Sequence, residues 1–211
     1  RLESGGGMVH SYGLAASQLA RITAAKIPLT VCVDKVAASG GYMMAAVADK
    51  IVAAPFALIG SIGVVAQLPN FNRLLRDNKV DFELYTAGEY KRTVTMFGEN
   101  SEQGRAKFQQ ELEETHQLFQ SFVGRLRPQL DIAAVATGEV WYGQQALALQ
   151  LVDELATSDD YLVSAALQRD VYRLTTAHKR TWQEKLGLAA EGSVERLATR
   201  WLGRASQRLP H

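Results

Sequence analysis

The stretch from residue 29 to residue 65 constrains this chain most: short β-branched runs alternate there with turns made of small residues. LTVCVDKV (29–36) reads as a strand, residues 37–41 as a small-residue turn and residues 42–48 as a helix. Residues 50–54 read as a second strand, and GSIGVV (60–65) as a tight turn into a buried strand. Apolar runs with little polar alternation suit strands covered on both faces, so the pattern predicts an α/β layer fold with buried parallel strands. Upstream, Tyr12, Ala15, Leu19 and Ile22 stand at helical spacing and predict a helix over residues 8–25, stopped by Pro28. Downstream, residues 68–78 read as a helix and residues 81–87 as a strand. The clearest helix covers residues 102–126, where Phe108, Leu112, Phe119, Phe122 and Leu126 form one stripe. Pro128 ends it, and shorter helices over 132–136, 143–150 and 161–168 make the second half helix-rich.

The 211 residues allow one ordinary domain with an extension, and 47% hydrophobic residues supply its core. The net charge of +1 argues against a dedicated nucleic-acid binder. That balance hides an asymmetry. Residues 171–211 carry eight basic residues against three acidic ones, so the body is acidic and the tail basic. The division predicts a catalytic domain over 1–170 and a basic C-terminal extension over 171–211. Trp182, Leu186, Leu197, Trp201 and Leu202 alternate with the tail's arginines, which suits a solvated capping helix or contact with an anionic membrane surface or a neighbouring subunit. Cys32, in the apolar run 29–33, reads as a small core residue. Residues 51–68 hold Pro55, Gly60 and Gly63 and read as core rather than a membrane span. The chain opens on the loop RLESGGG with no strand before it, as if begun mid-domain, with its first strands and a membrane anchor expected upstream.

Ser39, in AASGGY, sits where a strand turns into a helix. A nucleophilic serine needs that setting: a sharp turn exposes the hydroxyl, and glycines admit a substrate backbone. A small-residue turn that packs a helix against a strand has the same local sequence. Of the histidines that might serve as base, His10 begins the first helix, His116 lies beside the long helix's stripe, and His178 and His211 lie in the tail. None stands in a catalytic-looking loop. Lys91, in TAGEYKRTVT (86–95), is the other candidate base, and a lysine base must be kept neutral by burial or a nearby cation such as Arg92. SGGG (4–7) could present backbone N–H groups to an oxyanion or a phosphate, and GSIG (60–63) could hold a second serine, but neither has a P-loop form. No metal-ligand spacing occurs, and no cofactor is expected.

Taken in order, SGGG (4–7), DKVAASGGYMMA (34–45), ADKIVA (48–53), GSIGVV (60–65) and AGEYKR (87–92) resemble the signal peptide peptidase A family of serine–lysine membrane proteases, and within it the SohB-type inner-membrane peptidases. The resemblance continues to about residue 165 through GEVWYGQQALALQLVDEL (138–155). It implies a ClpP/crotonase-type fold of stacked β-β-α units. It also implies Ser39 as nucleophile, Lys91 as general base, Ser61 hydrogen-bonded to the lysine amine, and the N–H groups of Gly6 and Gly40 as oxyanion hole. Hydrophobic peptides or membrane proteins, such as remnant signal peptides, are the implied substrates. Homo-oligomers are implied too, in which serine and lysine can come from neighbouring subunits, as is a bacterial inner-membrane location with the catalytic domain on the periplasmic side. Two positions depart from the family pattern: Gly5 stands where proline is usual, and Gln150 where glycine often precedes Leu-Val-Asp. Two other readings remain at this point: a crotonase-type acyl-CoA enzyme, for which Glu3 is the one acidic candidate near the glycine loops, and an inactive scaffold of the same fold.

Overall fold

In the computed structural model residues 1–175 are described, and the expected tail from 176 onward lies outside them. The chain divides into two units, Arg1–Asp170 and Val171–His211. Described residues 171–175 carry no helix or strand. The first unit runs α1 (Val9–Ala24), β1 (Thr30–Val33), β2 (Val36–Ala38), α2 (Gly40–Ala45), β3 (Lys50–Ala53), β4 (Leu58–Gly60) and α3 (Asn72–Asp77). It continues with α4 (Glu102–Leu126), α5 (Ile132–Val135), β5 (Val140–Tyr142), α6 (Gly143–Ala148), β6 (Glu154–Leu155) and α7 (Ser158–Ala166).

Two three-stranded sheets result, ordered β1-β3-β6 and β2-β4-β5. The first is parallel throughout; in the second β2 and β4 are parallel and β5 joins β4 antiparallel. Each successive pair therefore sends one strand to each sheet: β1 then β2, β3 then β4. These are the stacked β-β-α units expected, followed by the helix-rich half. Strand pairing fixes the step, with Thr30 opposite Lys50 in one sheet and Val36 opposite Leu58 in the other.

The step from β1 to β2 has a visible cause. Glu3 turns its carboxylate onto the backbone N–H groups of Asp34, Lys35 and Val36, which donate over 2.9–3.2 Å. Those N–H groups are lost to a ladder, so the single strand expected over 29–36 becomes two. Residues 2–4 then lie along both: Leu2 N–H donates to the Cys32 carbonyl, Ser4 N–H to that of Val36, and Ala38 N–H to that of Ser4. Ser4 and Ala37 form a parallel bridge.

Val31, Val33, Ile51, Ile59, Ile62 and Tyr42 fill the core from sheets and turns, and Phe119 and Val123 enter it from α4. Burial of each such side chain contributes about 1.5–3 kcal/mol. Cys32 is also buried, and burial pushes its thiol pKa up. Beneath the helices, Arg127, only 4% exposed, forks onto Asp153 with contacts of 2.6 and 3.0 Å. Asp153 also accepts the Ile51 N–H, tying the end of α4 to β3 and β6.

Further expectations change. The strand expected over 60–65 ends at Gly60 as β4, and the helix over 68–78 narrows to α3. Residues 81–87 form no strand; Phe82 and Leu84 alternate as a strand would, but no neighbouring strand pairs with them. β5 and β6, for which the sequence predicts no strand, arise between the short helices, each as a two- or three-residue edge to a sheet built earlier. The excursion between β4 and α4 closes on itself instead. Phe97 packs against Phe71 and Phe82, and the Asn70 amide donates to the carbonyls of Thr95 and Gly98.

Candidate active site

Ser39 occupies the single residue between β2 and α2, at φ 53° and ψ −123°. A non-glycine residue at positive φ is strained by about 1–3 kcal/mol and persists only where its surroundings hold it. Here Ser39 N–H donates to the Gly60 carbonyl over 2.8 Å, extending the β2–β4 pairing through the turn. The next residue, Ser61, is also at positive φ (51°), with its N–H on the Glu139 carbonyl. Two strained serines thus follow the paired ends of β2 and β4.

Gly6 faces them from the N-terminal loop at φ 93°. A Cβ there would meet Ser39 Cβ at 2.7 Å and Gly40 N at 2.8 Å. Glycine is required on both counts: backbone conformation and close approach. The loop is held from either side, by Glu3 on the 34–36 backbone and by Ser4, whose hydroxyl lies 2.8 Å from that of Tyr12.

A pocket of about 870 Å³ opens over these residues, lined by Gly6, Ser39 and Ser61, by Met8, Val9, Val64 and Val65, and by His116, Thr137 and Gly138. Ser39, Ser61 and Gly6, expected to share a site, therefore do so, and Gly40 N–H begins α2 beside them. Lys91 does not join them. It is exposed in the turn after Gly88, whose carbonyl accepts its N–H, and it does not line the pocket. Glu3, the acidic candidate for acyl-CoA chemistry, does not line it either; its carboxylate serves the β1–β2 step.

His116, which the sequence places beside the long helix's stripe and outside any catalytic-looking loop, lines the pocket. Its Nε2 lies 3.2 Å from the Ile62 carbonyl, joining α4 to the Ser61 turn, and Gln120 contacts the same ring. The signal was available: His116 is four residues after Leu112 and three before Phe119, in register with the buried stripe. A polar residue on an apolar stripe has a partner inside. Tyr12, on the sequence a helix-face residue, packs its ring behind the site, against Gly7 and Gly40.

Fold and pocket together set the class, a stacked β-β-α domain with a glycine-walled pocket over a strained serine. The chain belongs to peptidase family S49: that family's model matches residues 21–172, and the model of its N-terminal segment matches residues 1–19. It is 58% identical over 207 residues to a probable protease SohB of Haemophilus influenzae, covering 98% of this chain and 59% of that protein. It is 31% identical over 166 residues to a putative signal peptide peptidase SppA of Enterococcus faecium, covering 77% of this chain and 48% of that protein. The chain thus spans about three-fifths or less of these relatives. Among solved structures, an enoyl-CoA hydratase/isomerase from Marinobacter aquaeolei matches at 14% identity and TM-score 0.42, covering 99% of this chain and 71% of that one.

Proposed function

We propose that the protein is a serine endopeptidase in which Ser39 is the nucleophile and Lys91 the general base. The observation that carries the reading is the strained backbone of Ser39, held against Gly6 at the floor of the pocket. Lys91 Nζ takes the Ser39 proton as Oγ attacks the peptide carbonyl, and the N–H groups of Gly6 and Gly40 receive the oxyanion. The lysine then gives its proton to the leaving amine, and an acyl-enzyme remains. Lys91 next takes a proton from water, whose oxygen attacks the ester carbonyl; the proton passes to Ser39 Oγ as the acid product leaves. Ser61, the other strained serine at the pocket, orients the amine.

In this reading Lys91 reaches the pocket of a second copy. Two features support that arrangement: Lys91 stands outside its own chain's pocket, and the excursion that carries it exposes Leu68, Leu74, Leu84 and Tyr85. Apolar surface of this kind on an excursion fits an oligomer contact. Met8, Val9, Val64 and Val65 on the pocket wall suit hydrophobic peptides as substrates. Remnant signal peptides beside the bacterial inner membrane fit that preference, with the domain facing the periplasm. Among the described residues no helix is long and apolar enough to cross a membrane. The test is cleavage of a hydrophobic peptide by the full-length protein. Ser39→Ala and Lys91→Ala each abolish it while melting temperature holds; cleavage surviving either change overturns the assignment.

A further inference from the structure

Tyr12, in the first turn of α1, touches every segment that builds the proposed oxyanion hole. A Cβ on Gly7 would lie 2.8 Å from its Cε2, and one on Gly40 would lie 2.4 Å from its Cγ. The ring thus fills the space between the glycine loop and the start of α2, the two places that carry the donor N–H groups. Its hydroxyl lies 2.8 Å from Ser4 Oγ, and Ser4 Oγ in turn accepts the Gly6 N–H over 3.3 Å. Ser4 is fixed as well through its backbone, between Val36 and Ala38.

We propose that Tyr12 and Ser4 are positioning residues, a hydroxyl pair that holds the Gly6 peptide in one orientation beside Ser39, its N–H resting on Ser4 Oγ until an oxyanion takes it over. The lengths suit that task. At 3.3 Å the Gly6 contact is longer than the usual 2.9–3.0 Å of an N–H···O bond, so a developing negative charge displaces Ser4 at little cost. The 2.8 Å Tyr12–Ser4 contact has the length of an ordinary hydroxyl–hydroxyl bond and fixes the serine's rotamer. A Cβ on Gly5 would meet nothing within 4 Å, so no packing constrains the loop at that residue, and the hydroxyl pair supplies the constraint. This inference rests on the oxyanion role of Gly6 proposed above.

The test compares Tyr12→Phe, Ser4→Ala, the double variant and Ser39→Ala in the full-length protein, on a hydrophobic peptide and with a peptide aldehyde as transition-state analogue. Tyr12→Phe keeps the ring and removes only the hydroxyl. Each single change lowers kcat about 3- to 10-fold, the worth of one neutral hydrogen bond, with KM within about twofold. Aldehyde affinity falls by the same factor, the double variant is no worse than the poorer single, and Ser4→Thr restores most of the rate. Wild-type kcat in Tyr12→Phe, a loss confined to KM, or losses that multiply in the double variant overturn the pair's role. Cleavage by Ser39→Ala overturns instead the reading on which it rests.

Discussion

Gly6 and Ser39 are in contact so close that a single methyl group on Gly6 would stand 2.7 Å from Ser39 Cβ. Gly6 also lies at φ 93°, where an L-residue costs about 1–2 kcal/mol. Its neighbour Gly5 has open space around its Cα and no positive φ. Gly6→Ala therefore lowers kcat/KM by about 100-fold or more, the scale of a lost oxyanion donor, and lowers the melting temperature. Gly5→Ala leaves the melting temperature close to wild type. Equal effects of the two substitutions contradict the account.

Tyr42 is fully buried, and its hydroxyl donates to the Leu151 carbonyl over 2.8 Å. Burial pushes its pKa far up, and the residue stays neutral throughout the working range. Tyr42→Phe keeps the ring and leaves that carbonyl without its partner, at a cost of about 1–3 kcal/mol. Urea unfolding measures it as a lower midpoint at unchanged slope.

The Arg127–Asp153 pair gives a pH dependence. Burial alone raises the Asp153 pKa, but hydrogen bonds from the Arg127 guanidinium and the Ile51 N–H, with the arginine's charge, outweigh it and hold the carboxyl below its ordinary value. The folded state then binds this proton less readily than the unfolded chain. Its stabilisation is complete above the unfolded pKa of about 3.9 and is lost as pH falls through the lower folded value. Asp153→Asn costs about 2 kcal/mol at pH 7 and flattens the acid limb of melting temperature against pH. An acid limb as steep as wild type overturns the assignment.

The sequence reading succeeded where a segment's own pattern decides its structure. The stripe from Phe108 to Leu126 predicts α4 to the residue, because a 25-residue amphipathic helix requires no distant partner to define its ends. Ser101 caps it by accepting the Gly104 N–H. Where the outcome depends on remote groups the reading failed. The break at Asp34 belongs to the Glu3 carboxylate, some thirty residues upstream. Residues 81–87 have a strand's alternation without a strand to pair with. β5 exists because β4 offers it an edge. At the candidate site, the local motifs put Ser39, Gly6 and Ser61 on turns that share one pocket, whereas His116 joins its lining only when α4 packs, and Tyr12 backs the glycine loop only when α1 does.

The placement of Lys91 outside its own pocket yields a mixing experiment. Ser39→Ala and Lys91→Ala proteins, each inactive alone, regain part of the wild-type activity when co-assembled, because some sites then pair an intact Ser39 with an intact Lys91. Activity restored to no degree, in mixtures proven to co-assemble, contradicts the intersubunit arrangement.

The role of Ser39 is tested most directly by covalent labelling. The full-length protein is treated with a fluorophosphonate and the modified residue located by peptide mass spectrometry. The account predicts a single label on Ser39, absent from Ser39→Ala and formed at least 100-fold more slowly in Lys91→Ala, a loss on the scale of about 10²–10⁴ for a general base. A label on another residue, or undiminished labelling of Ser39→Ala, contradicts it.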